Sequence, residues 1–355
     1  MDRPPKRSRW PFGGPYSTLD QGAEGGEHRP MGWARFLTSL GLALLPACAS
    51  GPVVPHATPR VISGETLSFA ICGDMRSDQG PEPGGPPSPQ GQLFAELVRR
   101  RPDFVLNTGD LVTRGDRSED WRIFDAWTAG LSGAQIPYLP LLGNHEYYGK
   151  NDVALAEYWA RFPGLERSKW YSLRAGPLFV LFLDSNLSEL SDEERGTQRL
   201  YAQRSIASAE ADQEAAFIAV AFHHPPYTNG PHPPAVDALN ELLRPLSFAK
   251  KLRLVITGHV HSYERFVQAG LTYLVSGGCG APPYPVEIDP ARRRFVAAYE
   301  GPAERGYHFV ECTVDRRALR CAAQVLEGDR FVARDPFVLE QLAAPGSGSA
   351  EGYED

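Results

Sequence analysis

From Leu67 onward the chain alternates short apolar runs with amphipathic stretches. The runs are LSFAIC (67–72), FVLNT (104–108), YLPLL (138–142), LFVLFLD (178–184), AFIAVAF (216–222) and LRLVIT (252–257). Runs that are apolar on both faces read as strands covered on both sides rather than as strands with one face in water. Between several of them lie helical patterns, QLFAELVRRR (92–101), DWRIFDAWTAGL (120–131) and AVDALNELLRPL (235–246). Strands alternating with helices predict an α/β fold. After Gly306, YHFVECTV and LRCAAQV flank a tight turn and predict a closing β-hairpin over 306–326. A Pro- and Gly-rich loop, GPEPGGPPSPQG (80–91), follows the first strand, and 343–355 read as a disordered acidic tail.

With 355 residues, 42% hydrophobic and 22% charged, the composition is that of a globular protein. The net charge of −7 argues against a nucleic-acid or anionic-membrane binder, which would need a basic face. It does not exclude a phosphorylated substrate, because bound metal ions supply local positive charge.

The amino-terminal part carries a different signal. Residues 1–30 are rich in Pro, Gly and charge and read as an upstream extension or a mis-assigned start. From Met31, Arg35 and the apolar stretch FLTSLGLALL are followed by Leu45-Pro46-Ala47-Cys48. The stretch falls short of the ~20 apolar residues a spanning helix needs. It fits a secretory signal over 31–47 whose ending resembles a bacterial lipobox, with Cys48 as the lipidated mature terminus. The expectation is an exported protein of the bacterial cell envelope, touching the membrane only through its lipid. Residues 48–64 would be the linker, and 65–340 the main folded domain.

Five segments place metal-ligating side chains directly after predicted strands. They are Gly73-Asp74, Gly109-Asp110, Gly143-Asn144-His145-Glu146, Phe222-His223-His224 and Gly258-His259-Val260-His261. Strand ends of an α/β sheet are where sites form, because loops converge there. Carboxylates, an amide oxygen and imidazoles make a mixed O/N set suited to Zn, Mn or Fe. One Gly-Asp is a turn; five such segments in order, each behind an apolar run, point to a metal centre.

This series resembles the calcineurin-like metallophosphoesterase superfamily over about 65–285, and GNHE, AFHHPPY and GHVHSYER are similar to its purple acid phosphatase branch. The resemblance implies a four-layer α/β/β/α sandwich of two mixed sheets. It implies two divalent ions, with Asp74 and His261 on the first, Asn144, His223 and His259 on the second, and Asp110 bridging. It further implies hydrolysis of a phosphate ester by a metal-activated water attacking phosphorus in line, with a phosphorylated small molecule as partner. His145 and His232 would be the catalytic histidines facing the substrate. His224 is not carried over as a ligand, and His56 and His308 read as structural.

The chain also departs from that family. The usual Asp-x-His is Asp74-Met75-Arg76 here, and the tyrosine expected three residues after the bridging Asp is Thr113. The first site is thus one familiar ligand short. Arg76 is a candidate for holding a phosphate oxygen by its planar fork. The residues leave open a phosphodiesterase on the same scaffold, and a non-catalytic envelope binding protein with a degraded first site.

The cysteines complete the picture. With Arg316-Arg317 as the hairpin turn, Cys312 and Cys321 fall opposite one another at a non-hydrogen-bonded pair, close enough for a disulfide in an exported protein. Cys72, in a core strand, reads as a buried free thiol.

Overall fold

A computed structural model describes residues 53, 55–77, 80, 81 and 88–341. The expected extension, the signal segment with Cys48, most of the loop after the first strand and the acidic tail lie outside the described residues. Among those described, no helix is long and apolar enough to cross a membrane.

Two mixed sheets build the fold. The first contains β2 (Leu67–Ile71), β3 (Phe104–Leu106) and β4 (Tyr138–Leu139), which run parallel. On its other side β11 (His308–Val314), β12 (Ala318–Glu327) and β13 (Arg330–Glu340) add an antiparallel meander, with β11 pairing β2. The second sheet has the order β1 (Val61–Ile62), β5 (Tyr171–Ala175), β6 (Leu178–Phe182), β7 (Phe217–Ala221), β8 (Leu252–Thr257), β10 (Leu271–Ser276) and β9 (Tyr263–Gln268). Its centre, β6-β7-β8-β10, is parallel.

The period of two along each strand sorts side chains between two cores. On β7, Phe217, Ala219 and Ala221 join a cluster with Phe69, Val105 and Leu173 from both sheets, whereas Ile218 and Val220 pack on the other face. That outer face is covered by α4 (Asp192–Ala211) through Ala202, Ile206 and Ala209. On the opposite side of the molecule α1 (Pro89–Arg100) and α2 (Ser118–Gly133) bury Leu93, Leu97, Trp121 and Phe124, and α3 (Asn151–Arg161) buries Leu155 and Tyr158. Helix, sheet, sheet, helix is the layering that the pattern of doubly apolar strands requires.

Local chemistry sets the helix ends. Ser88 caps α1 by accepting the Gly91 N–H, with Pro89 in the first turn. Ser191 and Glu194 form a capping box on α4.

Several expectations need correction. The linker 48–64 is part of the fold from His56 on. His56 N–H donates to Arg161 O, Tyr138 N–H donates to Ala57 O, and β1 pairs with β5. The stretch 235–246 is not a regular α-helix: Val236–Ala238 opens into a wider π-turn, then a 3-10 turn at Arg244–Leu246, where Pro245 has no N–H to continue the ladder. Cys72 is not a free thiol but is bonded to Cys279. The second disulfide joins Cys312 to Cys321, opposite one another across β11 and β12.

Candidate metal centre

The carboxyl ends of β2, β3 and β4 in one sheet, and of β7 and β8 in the other, meet at one edge. Each delivers a segment singled out above. Asp74, Asp110 and His259 all adopt positive φ, at 55°, 55° and 66°, a conformation uncommon for residues other than glycine. Such backbone persists where surrounding contacts over-determine it. Here Asp74 N–H donates to Gly109 O (3.0 Å), and Asp74 Oδ2 accepts the His259 N–H (2.9 Å). Gly109, at φ 92°, and Gly258 let these turns crowd together. A Cβ on Gly109 would lie 2.7 Å from Gly143 N and His223 Nδ1, and one on Gly258 2.4 Å from Asp74 Oδ2.

Two ligand groups result. In the first, Asp74, Asp110 and His261 are all buried, with His261 Nε2 3.7 Å from Asp74 Oδ1. In the second, Asn144 Oδ1 is 3.1 Å from both His223 Nε2 and His259 Nδ1, and these nitrogens are 3.2 Å apart. Asp110 touches both, its Oδ1 standing 3.3 Å from His223 Nε2.

Carbonyls fix the imidazoles. His223 Nδ1 donates to Thr108 O (2.7 Å) and His261 Nδ1 to Pro282 O (2.9 Å), so in each the Nε2 lone pair faces inward. Asp74 Oδ1 is buried without a hydrogen-bond partner among the described residues. Burial, then the charge of Asp110, pushes the Asp74 carboxyl well above its ordinary range. Burial, then neighbouring imidazole charge, holds His223 well below its own, and burial takes His259 down to about 2 and His261 to about 4. Neutral imidazoles around close carboxylates, one with an oxygen lacking a donor, are what bound cations require, and the residues fit two of them.

The remaining expected residues gather around this core. Arg76 Nε lies 4.0 Å from Asp110 Oδ2, and its Nη2 lies 3.5 Å from His261 Nε2. His145 donates Nδ1–H to Thr113 O (2.6 Å) and turns Nε2 to within 3.7 Å of Asp110 Oδ2. His232, part-buried, has its ring 4.5 Å from that of His259. Its loop is tied down by Arg294, whose Nη1 donates to Gly230 O and His232 O, and by Glu264, which accepts from Thr228 Oγ1 and Asn229 N–H. His56 and His308 are buried away from both groups.

Further groups around the site gave no clear signal of their role in the sequence. His224, not carried over as a ligand, stands with His223 and His259, its Nδ1 2.9 Å from Ser185 Oγ. Glu146 is fully buried and accepts N–H bonds from Gly143, Asp110 and Leu111, clamping two ligand loops together. Burial, then Asp110, pushes its carboxyl up to about 8, while those donors pull the other way. Tyr284 lies flat on His261 at 4.2 Å, from a segment with no pattern to announce it. A cavity of about 710 Å³ beside Arg174 and Arg316 contains none of these residues.

The chain has relatives among known proteins. The chain is 26% identical over 193 residues to purple acid phosphatase 18 of Arabidopsis thaliana, covering 52% of this chain and 41% of that one. It is 26% identical over 204 residues to a probable cyclic nucleotide phosphodiesterase of Synechococcus sp. (strain WH7803), covering 53% and 70%. Among curated relatives the chain spans as little as 37% of the length, in an uncharacterized protein of Mycobacterium tuberculosis. The structure of a purple acid phosphatase from yellow lupin (Lupinus luteus) seeds shares the fold, with TM-score 0.61 and 18% identity over 80% of this chain and 55% of that one. Residues 67–263, which hold every candidate ligand named above, match the model of calcineurin-like phosphoesterase, and the chain belongs to that family.

Proposed function

We propose that the chain is a two-metal phosphatase, with Asp74, Asp110 and His261 holding one divalent ion and Asp110, Asn144, His223 and His259 the other. The contact of Asp110 with both groups carries this reading, since a carboxylate can bridge two ions where an imidazole cannot. When bound there, two divalent ions (zinc, manganese or iron) would supply Lewis acidity for a water and charge compensation for the phosphoryl oxygens.

The chain's own residues do the rest. Thr108 O and Pro282 O keep His223 and His261 in the tautomer that leaves Nε2 free to bind. Arg76, at the rim between Asp110 and His261, presents its fork to a phosphoryl oxygen. His145, with Nδ1 spent on Thr113 O, offers its Nε2 proton when cationic to the departing alkoxide. His232 faces the same space from the opposite loop. Overall the P–O bond to the alcohol breaks, the oxygen of water joins phosphorus, and the alcohol leaves with a proton.

Diester hydrolysis is the second reading, favoured by the similarity to the Synechococcus protein. Metal analysis with turnover of p-nitrophenyl phosphate against its bis ester tests both. Two equivalents of metal and chelator-sensitive monoester turnover are expected. A preference for the bis ester gives the second reading, and no turnover of either sinks both.

A further inference from the structure

We infer that the departing alcohol occupies a cavity beside the second ligand group, and that the preferred substrate is a phosphate ester of an alcohol bearing an ammonium charge. The inference rests on the phosphoesterase reading and deepens it. The cavity, about 470 Å³, begins at Asn144 and His224 and is walled by Tyr148, Leu187 and Val236. Its size is that of a small-molecule site. Its orientation follows from two contacts. Asn144 Nδ2 donates to the Tyr148 hydroxyl (2.8 Å), and the rings of Tyr148 and His145 are 4.4 Å apart. An alcohol whose oxygen meets His145 therefore has its body over Tyr148, while the phosphoryl group stays toward Arg76.

The charge of the walls selects the alcohol. Glu189 and Asp237 line the cavity, and no lysine or arginine does among the described residues. Glu189 is held in place by Asn151 Nδ2, which donates to its Oε2 (2.8 Å). A cavity lined by an exposed tyrosine ring and two carboxylates attracts an ammonium group and repels further phosphates. A nucleoside polyphosphate would set its extra charges against Glu189 and Asp237.

The test compares phosphocholine with 3,3-dimethylbutyl phosphate, its neutral carbon isostere, on the metal-loaded protein. A kcat/KM ratio of about tenfold in favour of phosphocholine is expected, from one cation–π contact and two exposed carboxylates. In Glu189→Gln/Asp237→Asn the ratio should fall to about one. Both side chains are exposed, so the fold is not at stake. A ratio near one in the wild type, or one unchanged in the double variant, overturns the inference. Calorimetric binding of choline against 3,3-dimethylbutanol separates this failure from that of the phosphoesterase reading. Tighter binding of choline, lost in the double variant, upholds the cavity assignment without turnover, and equal binding overturns it.

Discussion

Cys72 and Cys279, 207 residues apart in sequence, are joined by a disulfide that couples the strand delivering Asp74 to the loop that orients His261. Cys72 follows β2 and precedes Gly73-Asp74, whereas Cys279 lies three residues before Pro282, whose carbonyl holds the His261 ring. Backbone bonds run beside it, from Cys279 N–H to Gly73 O and from Ala281 N–H to Asp74 O. The first ligand group is thus spanned covalently. Cys72→Ala/Cys279→Ala should lower unfolding free energy by ~2–5 kcal/mol. It should also weaken the first metal by roughly 10- to 100-fold, as loss of an outer support does. Urea titration and metal titration measure the two. Metal affinity that stays put while stability falls would reduce the bond to a staple.

The reading of Asp110 as a bridge gives an ordering of defects. Asp110→Asn should cost at least about 100-fold in kcat/KM, at or beyond the usual loss of an outer-shell partner, and should lower occupancy of both sites. Asn144→Ala should cost less and deplete one. Metal stoichiometry with steady-state kinetics checks the order, and full activity in Asp110→Asn would falsify the mechanism.

The strands and the gathering of the candidate ligands were legible because those residues sit at strand ends: an apolar run ending in Gly-Asp or Gly-His announces the element and points to the edge where the side chains meet. The rest was hidden for physical reasons. Helix α4 buries Gln198, Ala202, Ile206 and Ala209, a stripe too small and polar to read as an apolar face. Strand β13, at the edge of its sheet, mixes exposed Arg330, Arg334 and Val338 with half-buried Phe331 and Asp335 and buried Phe337 and Leu339, so no clean alternation marks it. Cys279 follows two glycines in a loop, so nothing local pairs it with Cys72. His224 and Tyr284 act only through neighbours distant in sequence.

Acid stability should depend on two histidines outside the centre. His56 accepts from Ser132 Oγ–H and donates Nε2–H to Thr128 Oγ1, whose own hydroxyl donates to Phe124 O. Burial, then Arg161, pushes it from 6.5 down to about 4, and burial does the same to His308. The unfolded chain takes up these protons first, so stability is full above about pH 6.5, falls as pH drops toward 4, and is level in this respect below that. Each contributes a loss on the order of 3 kcal/mol. His56→Asn should therefore be less stable than wild type at pH 7, with the gap narrowing near pH 4.5. A gap independent of pH in urea melts contradicts the assignment.

Export and lipidation at Cys48 are proposed from the sequence, and the two disulfides support them, since such bonds persist in oxidising compartments. Mass spectrometry of protein from the native host should find a diacylated Cys48 terminus, and Cys48→Ala should leave the membrane fraction. Protein retaining residues 31–47 would refute the processing.

The final prediction concerns colour. The resemblance to purple acid phosphatases implies a tyrosinate on ferric iron, whose charge transfer gives their purple band. Here that position is Thr113, whose backbone carbonyl accepts the His145 Nδ1–H. A threonine hydroxyl has no low-lying phenolate orbital and does not ionise near neutral pH. The neighbouring tyrosines are engaged elsewhere: Tyr147 donates to Asp184 Oδ2, and the Tyr148 hydroxyl accepts from Asn144 on the side of the second group. Tyr284 is near the first group, but it lies flat against the His261 ring, at 11° between planes. Without an anionic phenolate the first site loses a strong preference for ferric iron, and divalent zinc, manganese or ferrous iron suit its carboxylate and imidazole donors. The metal-loaded protein should be colourless, activated by divalent ions, and without a broad visible band after mild oxidation. Thr113→Tyr should introduce such a band when iron is supplied. A purple wild type would require another phenolate at the metal. Loss of that band in Tyr284→Phe would then identify Tyr284 as the ligand and reassign the first site around it.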